Sequence, residues 1–279
     1  MECIPCFFKQ ALAAAKIAKL DEHKIKEIFD HIAKLLPDIS MNTTPPEIGM
    51  LVYKAIYNTA GITDPFKEIK EQCTVQLMSR YNDFKKQITQ ADDPLYTALR
   101  YACLGNAIDL GANPHFAIMH DLENLFDRDF DVCHYDKFKG TMKKASAILY
   151  IADNAGETVF DRLLIEQLAI PVMYAVRSQP IINDAVFEDA KNAGIDKVAE
   201  IITSGCDAPG TILELCSEHF KEIFNNADMI ISKGQGNYET LSDQNRPLFF
   251  LLQVKCPIIA RDIDITCGSM VLISKDYEK

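Results

Sequence analysis

The sequence predicts an α/β protein in two parts: a helical N-terminal domain over residues 1–145, and a mainly parallel sheet covered by helices on both faces over residues 146–279. Three observations carry this. Apolar residues recur at helical spacing through the first half, with no convincing strand before Ala145. From Ala147 onward, short apolar runs alternate with helical patterns. Four successive runs then end in polar or glycine-rich turns, the pattern of βαβ units in a doubly covered parallel sheet.

In the helical half, Phe7–Leu36 reads as a single amphipathic stretch through Leu12, Ile17, Leu20, Ile25, Ile28, Phe29 and Ile32, stopped by Pro37-Asp38. Thr44-Pro45-Pro46-Glu47 is a capped helix start, and Ile48, Leu51, Val52, Ala55 and Ile56 form the apolar face behind it. Gly61 and Asp64-Pro65 break that helix, and another amphipathic stretch runs from Pro65 to about Gln90. Asp92-Asp93-Pro94 opens a helix reaching Asn106 or Leu110.

In the second half, the run 147–152 ends in Asp153-Asn154-Ala155-Gly156-Glu157, with a helix from Thr158. The run 171–176 leads to Asn183-Asp184-Ala185 and a helix over 186–193. The run 199–203 leads to Ser204-Gly205 and a helix from about Gly210. The run 228–232 leads to Lys233-Gly234-Gln235-Gly236-Asn237, and strands follow over 248–254 and 270–273. Ligands of open α/β sheets bind at the carboxyl ends of strands, so these four turns should meet in one crevice.

Composition narrows the function. A net charge of −11 argues against a general nucleic-acid binder, because phosphate backbones are held by clustered lysine and arginine. It does not exclude a small anionic substrate, since a bound cation reverses the field of a pocket. No run of apolar residues is long enough for a membrane span, and the N-terminus lacks the features of a signal peptide, so a cytoplasmic protein is expected. The nine scattered cysteines then read as thiols, with Cys3 and Cys6 forming one C-x-x-C pair: a redox dithiol, half of a second metal site, or helix-start packing. The sequence does not indicate an oligomeric state.

Asp153, Asn154 and Asp184 offer two carboxylates and an amide oxygen from adjacent strand ends, a hard-oxygen set suited to a divalent cation. The same aspartates also suit helix N-caps. Glu157, one turn into the next helix, either holds a metal-bound water or favours the helix N-terminus. Lys233 at a strand tip, with Gly234, Gly236 and Asn237 behind it, suits a phosphate group, although the spacing is not that of a Walker loop. Ser204-Gly205 with Pro209-Gly210 either cradles an anion or simply turns the chain. Arg177 is either an anion clamp or a solvated arginine. Asn106 and Asp109 share a helical face, which by itself reads as a helix C-terminus.

Taken together, Cys3-Ile-Pro-Cys6, Gly105-Asn106-Ala-Ile-Asp109, Asp153-Asn154-Ala-Gly-Glu157, Pro180-Ile-Ile-Asn-Asp184, Ser204-Gly205, Lys233-Gly-Gln-Gly-Asn-Tyr-Glu239 and Lys255-Cys256-Pro257 resemble the damage-control phosphatase family. This family, also known as domain-of-unknown-function family 89, has a microbial branch with an N-terminal C-x-x-C. The resemblance runs in order along nearly the whole chain. It implies an N-terminal helical part and a three-layer α/β/α Rossmann-like part. It also implies one divalent metal (Mg, Mn, Co or Ni) on Asp153, Asn154 and Asp184, Lys233 on the substrate phosphate, and Asn106 and Asp109 in the pocket. The activity implied is hydrolysis of small phosphorylated metabolites such as sugar phosphates or phosphopantetheine-like compounds; Asp153, Glu157 and Lys233 are the candidate catalytic residues. The sequence departs from the family pattern at Arg177-Ser178-Gln179, where glycine is expected after the arginine. Two rivals stand beside this: an S-adenosylmethionine-dependent carboxyl methyltransferase, weakened by the single glycine after the first strand, and a metal- or ligand-binding module without turnover.

Overall fold

The computed structural model describes residues 2–40, 43–106 and 126–274. Six helices come first: α1 (Cys3–Ile17), α2 (Glu22–Leu35), α3 (Pro45–Ala60), α4 (Lys67–Ser79), α5 (Tyr81–Gln90) and α6 (Pro94–Gly105). The stretch Phe7–Leu36, read as continuous, is two helices. Lys19 adopts a left-handed φ of 54°, Leu20 N–H closes on Ala15 O at 3.0 Å, and the Asp21 carboxylate caps α2 through Lys24 N at 2.9 Å. A break at Arg80 likewise divides the stretch ending at Gln90. The expected starts at Thr44 and Asp93 are present: Thr44 forms a capping box with Glu47, and Asp93 caps α6 through Tyr96 N at 3.0 Å.

The sheet elements are β1 (Val132–Cys133), α7 (Tyr135–Met142), β2 (Ile148–Ile151), α8 (Thr158–Leu168), β3 (Val172–Val176), α9 (Phe187–Asn192) and β4 (Glu200–Thr203). They continue with α10 (Glu218–Asn226), β5 (Met229–Lys233), α11 (Gln235–Leu241), β6 (Leu248–Gln253), α12 (Pro257–Ile263) and β7 (Met270–Ser274). Two expectations are corrected here. A strand does precede Ala145: β1, only two residues long, pairs with β7, too short for any periodicity to show. The helix expected from Gly210 begins at Glu218, where the Ser217 hydroxyl caps Phe220 N at 3.2 Å.

The strand order is β1-β7-β6-β5-β2-β3-β4, and each pairing is parallel except β6 with β7. From β2 the chain builds outward through β3 and β4, then returns to add β5 on the other side. The β2/β5 boundary is therefore the topological switch point, where a crevice opens at the carboxyl ends. β2 is buried at every position because both faces are covered. One core places Tyr150 and Tyr174 against α4–α6 and α8, and the opposite core packs Leu149 and Ile230 with residues of α10–α12.

The first core runs through position 145. Phe84 of α5 lies 5.2 Å from Phe160 of α8, centroid to centroid. Helices α4–α6 thus form part of the layer on one sheet face, whereas α1–α3 share a core of their own that holds Phe7, Ile28, Val52 and Phe66. No described helix is long and apolar enough to cross a membrane.

Candidate active site at the strand switch point

The segments after β2 and β3 are laced together by backbone bonds. Asn154 and Asp184 form an isolated antiparallel bridge. Ala155 N–H donates to Asn183 O, and Ala185 N–H to Asp153 O, both at 2.8 Å, while Arg177 N–H reaches Ala185 O at 3.0 Å. This lacing, invisible in the sequence, brings Asp153, Asn154 and Asp184 together, each less than a tenth exposed.

Asn106 joins them from the end of α6. Its Nδ2 donates to Asp153 Oδ2 at 2.9 Å and to Glu157 Oε1 at 2.7 Å, and its Oδ1 accepts Gln253 N–H at 3.1 Å. Gly105 makes the approach possible, because a Cβ there would lie 3.1 Å from the Phe160 ring. Asn106 is thus a helix C-terminus and a site residue at once. Asp109 lies outside the described residues.

Glu157 is fully buried. Its Oε1 also accepts Asn154 Nδ2 at 2.7 Å, and its Oε2 accepts Lys233 Nζ at 2.6 Å. Lys233, expected on a substrate phosphate, is instead wholly enclosed: its other bond goes to Asp161 Oδ1 at 2.7 Å. Burial alone would lower the Lys233 pKa, but the carboxylates of Asp161 and Glu157 outweigh it and raise it. Arg177 is neither a solvated arginine nor an open clamp. Buried, it donates to Asp184 Oδ2 at 2.8 Å, Thr211 Oγ1 at 2.9 Å and Asn237 Oδ1 at 3.0 Å.

The glycine loop is also built for packing. Gly234 has φ +79°, and a Cβ on it would sit 1.9 Å from Asp153 Oδ2. A Cβ on Gly236 would sit 2.1 Å from Pro209 O. Asn237 spends its amide on Ala152 O, Lys233 O, Arg177 and Thr211, which fills its hydrogen-bonding capacity and makes it a strut between strand ends. The Ser204-Gly205 loop is a turn: Ser204 N–H is held by Val176 O, and Gly205, with φ +79°, packs on Ser217. Gly234→Ala is therefore expected to displace Asp153 and cut turnover at least tenfold, while a Gly268→Ala control, also at positive φ but in open space, keeps it; steady-state kinetics check this.

The electrostatics favour a bound cation. Asp153, Glu157, Asp161 and Asp184 are four buried carboxylates in one network with two buried cations, Lys233 and Arg177. Burial, then Glu157, then Asp184, holds the Asp153 pKa well above the ordinary carboxylate range. With all four carboxylates ionised the formal excess is two negative charges, that of one divalent ion, and the side-chain donors offered here are hard oxygens. Among the described residues no group of three His, Cys, Asp or Glu side chains is set to hold a metal. The exposed Lys255, in the turn after β6, is the cation whose charge most eases ionisation of Asp153.

Elsewhere, all nine cysteines are free thiols. Cys3 lies near Cys6, Glu239 and Cys256, and its pKa is raised by burial and then by Glu239, the opposite of the shift that makes a thiol reactive. Burial pushes the Glu239 carboxyl up from 4.5 to about 7. The folded state therefore keeps this proton to higher pH than the unfolded chain, and stability falls as pH rises through that window. Glu239→Gln, which cannot ionise, is expected to raise the urea midpoint at about pH 8 and to change it little near pH 5; equal shifts at both would contradict the assignment.

The chain is 34% identical over 285 residues to a damage-control phosphatase of Pyrococcus horikoshii, covering 99% of this chain and 98% of that protein. It is 31% identical over 278 residues to a damage-control phosphatase of Archaeoglobus fulgidus, covering 96% of each. The crystal structure of a DUF89 family protein from P. horikoshii superposes with a TM-score of 0.88 at 33% identity, covering 99% of this chain and 98% of the other. The family model described as the damage-control phosphatase ARMT1-like domain matches residues 1–271. Sequence and fold agree over nearly the full length, and the chain belongs to the damage-control phosphatase ARMT1-like domain family.

Proposed function

We propose that this chain is a phosphatase that hydrolyses small phosphorylated metabolites with the help of one divalent cation held by Asp153, Asn154 and Asp184. The observation that carries this is the excess of buried carboxylates over cations at the β2/β5 switch point. Membership of the family, metal-dependent in general, and the names of the two archaeal relatives support it. When bound, a cation such as Mg, Mn, Co or Ni would supply Lewis-acid polarisation of a phosphoryl oxygen there.

The protein's own residues do the rest. Asn106 and Asn154 donate to Asp153 Oδ2 and hold that carboxylate in one orientation. Arg177 fixes Asp184 by a 2.8 Å bond. Lys233 neutralises Glu157 from behind, so its part is to order the site from within. Lys255, exposed and near enough for its charge to ease ionisation of Asp153, attracts the phosphate of a substrate.

The test is a panel of phosphate esters assayed with each divalent ion and with EDTA. Hydrolysis that is restored by one or more of the four metals and abolished by EDTA is expected, with Lys255→Ala raising KM for the ester. Metal binding without hydrolysis of any ester would overturn the enzyme assignment.

A further inference from the structure

Asp161, buried in the first turn of α8, lies four residues after Glu157, the residue that immediately precedes that helix. Like charges four residues apart on a helix repel, and burial strengthens the repulsion. The structure resolves the conflict with Lys233, which donates to Glu157 Oε2 at 2.6 Å and to Asp161 Oδ1 at 2.7 Å.

Asp161 is held in turn by two phenols. Tyr150 O–H donates to its Oδ1 and Tyr174 O–H to its Oδ2, each at 2.6 Å. These tyrosines are cross-strand partners in β2 and β3, with stacked rings 5.2 Å apart, so strand register aims both hydroxyls at one carboxylate. Burial and then the negative charge of Asp161 push both phenol pKa values up, so the hydroxyls keep their protons and remain donors.

From Asp161 an unbroken run of charge-assisted bonds reaches the front of the site. Lys233 leads to Glu157, whose Oε1 holds Asn106 and Asn154, and both amides reach Asp153 Oδ2. All of these side chains are under a tenth exposed.

We propose that Asp161, anchored by Tyr150 and Tyr174, is a positioning residue for the reaction: it fixes Lys233, which fixes Glu157, which sets Asn154 and Asn106 around Asp153. This rests on the phosphatase reading above and extends it to a part of the site that touches no substrate. Buried ion networks are poor sources of net stability, so a role in placing Asp153 accounts for this one better than a role in holding the fold.

The experiment compares the parent with Asp161→Asn and with Tyr150→Phe/Tyr174→Phe, which removes both anchoring hydroxyls and leaves every charge in place. Leu163→Ala, in the same core but outside the hydrogen-bonded run, is the control for simple loss of stability. Readouts are kcat and KM for the best ester of the panel, Mn²⁺ binding by calorimetry, and melting temperature. Asp161→Asn is expected to lower kcat about tenfold or more and to weaken Mn²⁺ binding, with KM changing less than about threefold; the tyrosine double variant should do the same to a smaller degree. Leu163→Ala should lose melting temperature and keep kcat. Unchanged kcat and Mn²⁺ affinity in both network variants, or losses that track melting temperature as in the control, would overturn the proposal while leaving the phosphatase intact. A parent that neither binds Mn²⁺ nor hydrolyses any ester would instead overturn the phosphatase reading, and this inference with it.

Discussion

Asp153→Asn is expected to give a protein that is inactive toward phosphate esters and yet melts higher than the parent in EDTA. The two halves of this result have one cause. Without a cation, ionised Asp153 is a buried charge facing Glu157 and Asp184, and its pKa is held well above the ordinary range. A carboxyl whose folded pKa is raised binds its proton more tightly in the folded than in the unfolded state, so ionising it at neutral pH costs stability. Asparagine keeps the shape and cannot ionise. A higher melting temperature than the parent in EDTA at neutral pH follows. The same change removes a charge that the cation needs, so metal-dependent turnover should fall by at least about three orders of magnitude, near 4 kcal/mol of transition-state stabilisation. Adding Mn²⁺ should then stabilise the parent and leave the variant unmoved. A variant that loses stability in EDTA, or that retains turnover, would contradict the charge balance drawn for this site.

Lys233→Met is expected to have the largest effect on stability. Its side chain is wholly buried between Glu157 and Asp161, and its loss leaves two buried like charges four residues apart at the start of α8. Breaking a buried pair by removing one partner typically costs about 3–5 kcal/mol. The sign of the pH dependence follows as well. With Lys233 gone, Asp161 loses the positive charge that offsets its burial and binds its proton more tightly in the folded state, so the loss should be larger near pH 8 than near pH 5.5. Urea unfolding of parent and variant at the two pH values measures this. A loss independent of pH would mean that methionine disturbs packing alone.

Much of the fold could be read from residue patterns. The runs 147–152, 171–176, 199–203, 228–232 and 248–254 are strands within a residue or two; all but the edge strand β4 are buried on both faces and so read as apolar runs with polar ends. The starts at Thr44 and Asp93 were legible because capping is local chemistry. The break at Lys19 was hidden because a lysine carries no signal for a left-handed φ. β1 escaped notice because two residues have no period.

The site was legible in part. Asp153, Asn154, Asp184 and Glu157 stand in turns at strand ends, where a chemical role can be suspected from type and position. Asp161, Tyr150 and Tyr174 were passed over: an aspartate within a helix and tyrosines within apolar runs look like a solvated face and ordinary core. The one available hint was a Glu-x-x-x-Asp pair on a helix otherwise set to be buried.

By itself the sequence determined the α/β class, the helix caps, the order of the strands along the chain and the oxygen donors offered at their ends, since each depends on neighbours a few residues away. The tertiary structure decided the placing of strands on either side of β2, the lacing of the Asp184 segment onto Asp153, and the enclosure of Lys233 and Arg177 by carboxylates. Those outcomes depend on contacts between residues tens of positions apart, as with Asn106 and Asp153 or Lys233 and Glu157. Whether a lysine meets a phosphate or a carboxylate is settled by which groups lose water together, and that is a property of the packed chain.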